Sequence, residues 1–163
     1  MSLFSFFRKK PKPQKQYPMT SKMLDSATFI CLLIKDQFLL LEQSGGQIPS
    51  IFYKTQKTLE LNQWLAGYII GLYDAHMQLS KQQFEPNALE LIFSVFYGEK
   101  SAEACVKQCF IALLTLDDEG ENYFKITYGE LNAARLIGGG EMFSWEDKEI
   151  TCPLGIYKKY SLN

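Results

Sequence analysis

The stretch from Thr58 to Ser80, TLELNQWLAGYIIGLYDAHMQLS, limits what this chain can become more than any other. At about 100° per residue, Leu61, Trp64, Leu65, Tyr68, Ile69, Leu72, Tyr73, Met77 and Leu79 cover well over half of a helix circumference. A helix on a protein surface is apolar along one stripe only. Residues 58–80 are therefore predicted to form a central, buried helix flanked by others. The narrow stripe left over holds Glu60, Gln63, Gly67, Gly71, Asp74 and Gln78. Gly67 and Gly71, one turn apart, let another backbone come close. That backbone belongs either to a neighbouring helix of the same domain or to a partner helix in a shallow groove lined by Gln63, Gly67, Gly71 and Asp74.

The expected architecture is all-α, a single-domain bundle of about five helices. At 163 residues and 47% apolar content the chain is one domain long, enough to bury roughly two-thirds of its unfolded surface. Residues 22–43, KMLDSATFICLLIKDQFLLLEQ, are apolar at both helical and strand spacing. They make either a buried helix ending at Gly45 and Gly46 or a short β-hairpin over 27–43 turning at Lys35, Asp36 and Gln37. The hairpin option resembles the opening hairpin of Nudix hydrolases, but that family's glutamate-rich metal box has no counterpart downstream, so its activity is not expected. Leucine outnumbers β-branched residues here, which favours the helix.

After a loop over SGGQIPSIFYK and the central helix, Pro86 suits the first turn of a helix reaching Tyr97 and stopped by Gly98. Ser101 is a candidate N-cap for the next helix, whose apolar face holds Cys105, Cys109, Ala112, Leu113 and Leu116. Thr127 and Glu130 have capping-box spacing, with Ile126 and Leu131 at the staple positions, so a further helix is predicted to start there. The run Gly138, Gly139, Gly140 is expected to end it. One more turn at SWEDKEI and an irregular aromatic tail after Pro153 complete the prediction.

Charge divides the chain unevenly. Residues 1–24 carry Arg8, Lys9, Lys10, Lys12, Lys15 and Lys22 and no acid, giving +6, and the remainder carries −7. The expected division is a basic, Phe-containing flexible tail over 1–20 and a helical domain over 21–163. An acidic body argues against nucleic acid as a ligand of the folded part. In the tail, apolar residues precede the charges, the reverse of a secretory signal peptide. Phe4, Phe6 and Phe7 beside Arg8, Lys9 and Lys10 have the composition of a short anchor for an anionic membrane face; the other reading is a solvated tail. Cysteines 31, 105, 109 and 152 are sparse and no leader precedes them, so reduced thiols and a cytoplasmic location are expected, with the tail at the inner membrane face. The longest charge-free run near the central helix, Leu61 to Tyr73, falls short of the roughly 18 residues of a membrane span.

No motif specifies an activity. His76 is the sole histidine, on the apolar face and about 200° around the helix from Asp74, so it reads as a core histidine hydrogen-bonded to backbone or a tyrosine. Cys105 and Cys109 are one turn apart, yet cysteines on an apolar helix face usually pack as small hydrophobes. Asp117, Asp118, Glu119 and Glu121 lack EF-hand spacing and suit either a solvated loop or a basic protein partner. The glycine triplet follows a helix instead of opening one, unlike a phosphate loop. Glu146 and Asp147 beside Trp145 suit a partner rim or a turn capped by Ser144. No catalytic set, cofactor or metal is expected. The functional expectation is a non-enzymatic interaction module binding another protein, an adaptor, chaperone or immunity-type inhibitor, with Gln63, Gly67, Gly71, Asp74, Asp117 and Asp118 as contact residues. The alternative is a small-molecule-binding or hydrolytic pocket beside Tyr68, Tyr73, Asp74 and His76.

Overall fold

The computed structural model describes residues 20–56, 58–114 and 121–161; for residues 113, 114 and 121–127 it describes the backbone alone. Helix α1 spans Ser21–Gln43, and the Thr20 hydroxyl accepts from the Met23 N–H at its start. Met23, Ala27, Ile30, Ile34, Phe38 and Leu41 recur at helical spacing and are buried together. The hairpin alternative is thereby excluded: Lys35–Gln37 lies within the helix, where Gln37 is buried. Gly45, at φ +80°, closes the helix in a left-handed conformation that glycine adopts without strain.

Next comes a small antiparallel ribbon of β1 (Phe52–Lys54) and β2 (Leu59–Leu61), with Phe52 opposite Leu61. At its tip the Thr55 hydroxyl donates to the Thr58 carbonyl, accepts from the Thr58 N–H and lies 2.7 Å from the Thr58 hydroxyl. The start of the predicted central helix is corrected here. Residues 59–61 are strand, and α2 spans Gln63–Leu79. The Asn62 carboxamide is the reason: its oxygen accepts from the Leu65 N–H at 3.2 Å, and its nitrogen donates to the Ser50 carbonyl and the Tyr53 hydroxyl. One side chain thus caps the helix and ties it to the ribbon.

The rest of α2 is as central as its pattern requires. Leu65, Tyr68, Ile69, Leu72, Tyr73 and Met77 are buried, as are Ala66, Gly67, Ile70, Gly71 and Ala75 between them. Helices α3 (Pro86–Tyr97) and α4 (Glu99–Leu114) form a hairpin across a one-residue joint, Gly98, at φ +80°. Ser101 therefore lies in the first turn of α4 instead of capping it, and the Gly98 carbonyl accepts from the Ala102 N–H. Phe84 bridges Tyr73 of α2 and Phe110 of α4 edge to face, and Phe38 of α1 meets Phe96 of α3 in the same way.

Helix α5 spans Glu121–Glu146 with a break in helical geometry at Tyr128. The predicted start at Thr127 falls one residue from this break; the side chains of Ile126 and Thr127 lie outside the described residues. The glycine triplet does not end the helix, which continues through Gly138, Gly139 and Gly140 for two more turns. Tertiary packing overrides glycine's poor helix propensity: a Cβ on Gly138 would overlap the Tyr68 carbonyl of α2. The predicted irregular tail instead contains α6 (Gly155–Tyr160), with Gly155 and Ile156 buried. The fold is a mostly helical single domain: six helices and one two-stranded sheet among the described residues. None of those helices is long and apolar enough to cross a membrane.

Candidate functional site

The polar edge of α2 is met by α5 at one steady offset. Added methyl groups on Gly67 and Gly71 would overlap the carbonyl oxygens of Leu131 and Arg135, and Ala75 lies against Gly139. The two helices run in the same direction, each turn of α2 seated on the corresponding turn of α5. Gly67 and Gly71 therefore face a helix of their own chain along the seam. Asp74 emerges beside this seam and pairs with Arg135 at 3.8 Å, both partly exposed. Gln63 is half-buried in the first turn of α2. Asp117 and Asp118 lie outside the described residues. A concavity of about 330 Å³ remains between α2 and α5, lined by Gly71, Asp74, Gln78, Arg135, Gly140 and Phe143 among others.

His76 points elsewhere. Its ring stacks on Phe29 at 4.6 Å, and Phe29 stacks in turn on Trp145 at 5.8 Å, so the half-buried imidazole joins an aromatic column between α1, α2 and α5. Burial lowers its pKa, partly opposed by Glu146 nearby. The partner expected from the sequence, a tyrosine or backbone group, is replaced by aromatic faces. Asp74 and His76 thus serve different neighbours.

Nor do the two tyrosines of α2 converge. The Tyr73 hydroxyl sits 3.3 Å from the backbone of Glu85, whereas the Tyr68 hydroxyl donates to Glu141 Oε2 at 2.7 Å. The same carboxylate oxygen accepts from the backbone N–H groups of Leu154 and Gly155, and Oε1 pairs with Lys158. Burial and the Glu141 carboxylate together hold the Tyr68 phenol well above its ordinary pKa, so it remains a donor across the physiological range. Gln37 of α1 accepts from the Ile156 N–H at 2.8 Å. These groups anchor α6, with the Glu141 carboxylate partly buried and Lys158 reaching it from the exposed side. Glu141 escaped the sequence reading because its partners lie 73 and 13 residues away.

Cys105 and Cys109 are fully buried with sulfurs 3.9 Å apart, and the neighbouring Cys109 sulfur together with burial pushes the Cys105 pKa far up. Among the described residues no group of three metal-binding side chains comes together.

The clearest open surface lies between α1 and α3. A groove of about 380 Å³ is lined by Leu24, Thr28, Cys31 and Leu32 of α1 and by Leu91, Val95 and Phe96 of α3, with Lys35 at one end. Leu24, Leu32 and Val95 are exposed. Burial pushes the Cys31 thiol up to about 11, as its apolar wall requires. The signal in the sequence was the second apolar face of residues 22–43, which made helix and strand hard to separate. A helix buried on one side needs no Leu24 and Leu32 on the other. No family model matches the chain, and no curated protein or solved structure shows significant similarity to it.

Proposed function

We propose that the protein is a non-enzymatic protein–protein interaction module, of adaptor, chaperone or inhibitor type, which receives one apolar helix of another protein in the groove between α1 and α3. The observation that carries this reading is the groove itself: two adjacent helices leave an apolar channel between them, with exposed leucine and valine on its lips and Lys35 at its end. A third helix laid into such a channel fills it in the manner of internal helix packing. Lys35 favours a direction in which the partner's C-terminal end, with its partial negative charge, lies beside it. The module acts in the cytoplasm, and its N-terminal segment, through Phe4, Phe6, Phe7, Arg8, Lys9 and Lys10, rests on the anionic inner face of the membrane.

The test places a photo-crosslinking residue at Leu32 or Val95, with Gln56 on the ribbon as control, in the native cell. One protein should be captured from both groove positions and not from the control. Its crosslinked segment should be apolar at i, i+3, i+4 and i+7. As an isolated peptide, that segment should bind the intact chain, and Leu32→Asp with Val95→Asp should weaken it at least tenfold while leaving the melting temperature within about 2 °C. Full affinity in the doubly substituted protein would refute the assignment.

A further inference from the structure

The outer face of α5 breaks the rule that a helix with one face in the core carries polar residues on the other. Leu131, Ala134, Gly138 and Met142 point inward and are buried. On the opposite side Gly129, Ala133, Leu136, Ile137, Gly140 and Phe143 fall within an arc of about 120°. All six are exposed, Leu136 at 65%, Ile137 at 46% and Phe143 at 39%. No charged residue interrupts this arc.

We propose that this face is a self-association surface and that its occupant is a second copy of the chain. Three large residues, Leu136, Ile137 and Phe143, and three small ones, Gly129, Ala133 and Gly140, share the face, and their positions about residue 138 let it complement itself. With two copies antiparallel about a two-fold axis beside residue 138, Leu136 of one faces Gly140 of the other and Phe143 faces Ala133. Symmetry then repeats both contacts. Each large side chain meets a small one, as interdigitation requires. The concavity between α2 and α5 opens onto the same face, and Leu136, Gly140 and Phe143 form part of its wall, so it gives an incoming Leu136 or Phe143 room to sink. The uncharged arc brings no like charges together, and the Asp74–Arg135 pair at its margin is already neutralised within each copy.

Size sets the expected strength. From Gly129 to Phe143 the face is about 21 Å long and about 10–12 Å wide. Even with the concavity it reaches only the low end of specific interfaces, below roughly 1,200 Å² in total. The dimer is therefore concentration-dependent. It uses a surface separate from the groove between α1 and α3.

Sedimentation velocity on the full chain from about 1 to several hundred µM tests this. The sedimentation coefficient should rise towards that of a dimer across that range. Leu136→Glu and, separately, Gly140→Leu should remain monomeric, with far-UV circular dichroism confirming that each is folded. The combined Leu136→Ala/Gly140→Leu protein, in which large and small exchange places, should recover association at least tenfold over Gly140→Leu alone. A chain monomeric at the highest concentration would overturn the proposal. So would a dimer that survives Leu136→Glu, or one abolished by Leu32→Asp in the other groove and untouched by Leu136→Glu. Failure of the exchange to recover association would reject the antiparallel register.

Discussion

Two adjacent glycines in α5, Gly138 and Gly139, should respond in opposite ways to the same substitution. A Cβ on Gly138 would stand 2.2 Å from the Tyr68 carbonyl oxygen and 3.1 Å from Leu72 N, both backbone atoms of the central helix. Ordinary contact needs about 3.5 Å, so α5 must move away from α2 by about an ångström along a seam built on Gly67, Gly71 and Gly138. Overpacking of a well-fitted core costs about 1–3 kcal/mol, and a clash with backbone cannot be relieved by a rotamer change. Gly138→Ala is therefore expected to lose at least 3 kcal/mol. For a chain of this length that lowers the melting temperature by about 6–12 °C, or prevents folding. One position on, a Cβ at Gly139 would lie 3.6 Å from Gly71 O and 3.9 Å from Ala75 Cβ, ordinary packing distances. Gly139→Ala should then show only the helix-propensity gain, up to about 1 kcal/mol or a few degrees upward. Both variants can be melted side by side by circular dichroism at low micromolar concentration. If Gly138→Ala melts within 1–2 °C of the parent, or Gly139→Ala falls as far as Gly138→Ala, the close seam is not there.

Two further outcomes follow from the aromatic column and the tail. Burial depresses the His76 pKa, so the folded state favours the neutral ring; the resulting stability is complete above about pH 6.5 and is lost as pH falls towards the lower folded value. The urea midpoint of the parent should decline between about pH 7.5 and 5.5, and His76→Phe, which keeps the stack on Phe29, should decline less; parallel curves would remove His76 from the account. On vesicles containing about one-third anionic lipid, the intact chain should float and a chain lacking residues 1–16 should not, with flotation weakening as salt is raised. Equal flotation of the two would reduce the tail to a solvated segment.

The parts of the fold legible in advance were those set by short-range rules. The pattern of Leu65, Tyr68, Ile69 and Leu72 placed α2 in the centre, and Pro86 and Gly98 bounded α3 correctly. Elsewhere distant contacts prevailed over local preference. Gly138 reads as a stop until the Tyr68 backbone lies against it, and residues 52–54 read as loop until Asn62 holds the ribbon to α2. Helix α6 is too short to announce itself and depends on Glu141 and Gln37 for its first N–H partners. The same distinction governs the site. Gly67 and Gly71 were recognisable as a place of close backbone approach, but that the approaching backbone is α5 follows only from the assembled chain. The open groove unites Leu32 with Val95, residues more than sixty positions apart, and no local pattern joins them.

The anchoring of α6 bears on how the protein is made. Gly155 fits against the Tyr68 ring, where a Cβ would overlap it, and the Glu141 carboxylate receives both ends of that contact. Tyr68, Gln37 and Glu141 are all synthesised before the segment that satisfies them. On the ribosome, the emerging α1, α2 and α5 therefore present a carboxylate and a carboxamide in an unfinished interior, and the domain closes only when residues 154–160 arrive. Until then the Glu141 carboxylate and the Gln37 carboxamide oxygen lack these backbone partners, and a truncation ahead of Leu154 would leave them so.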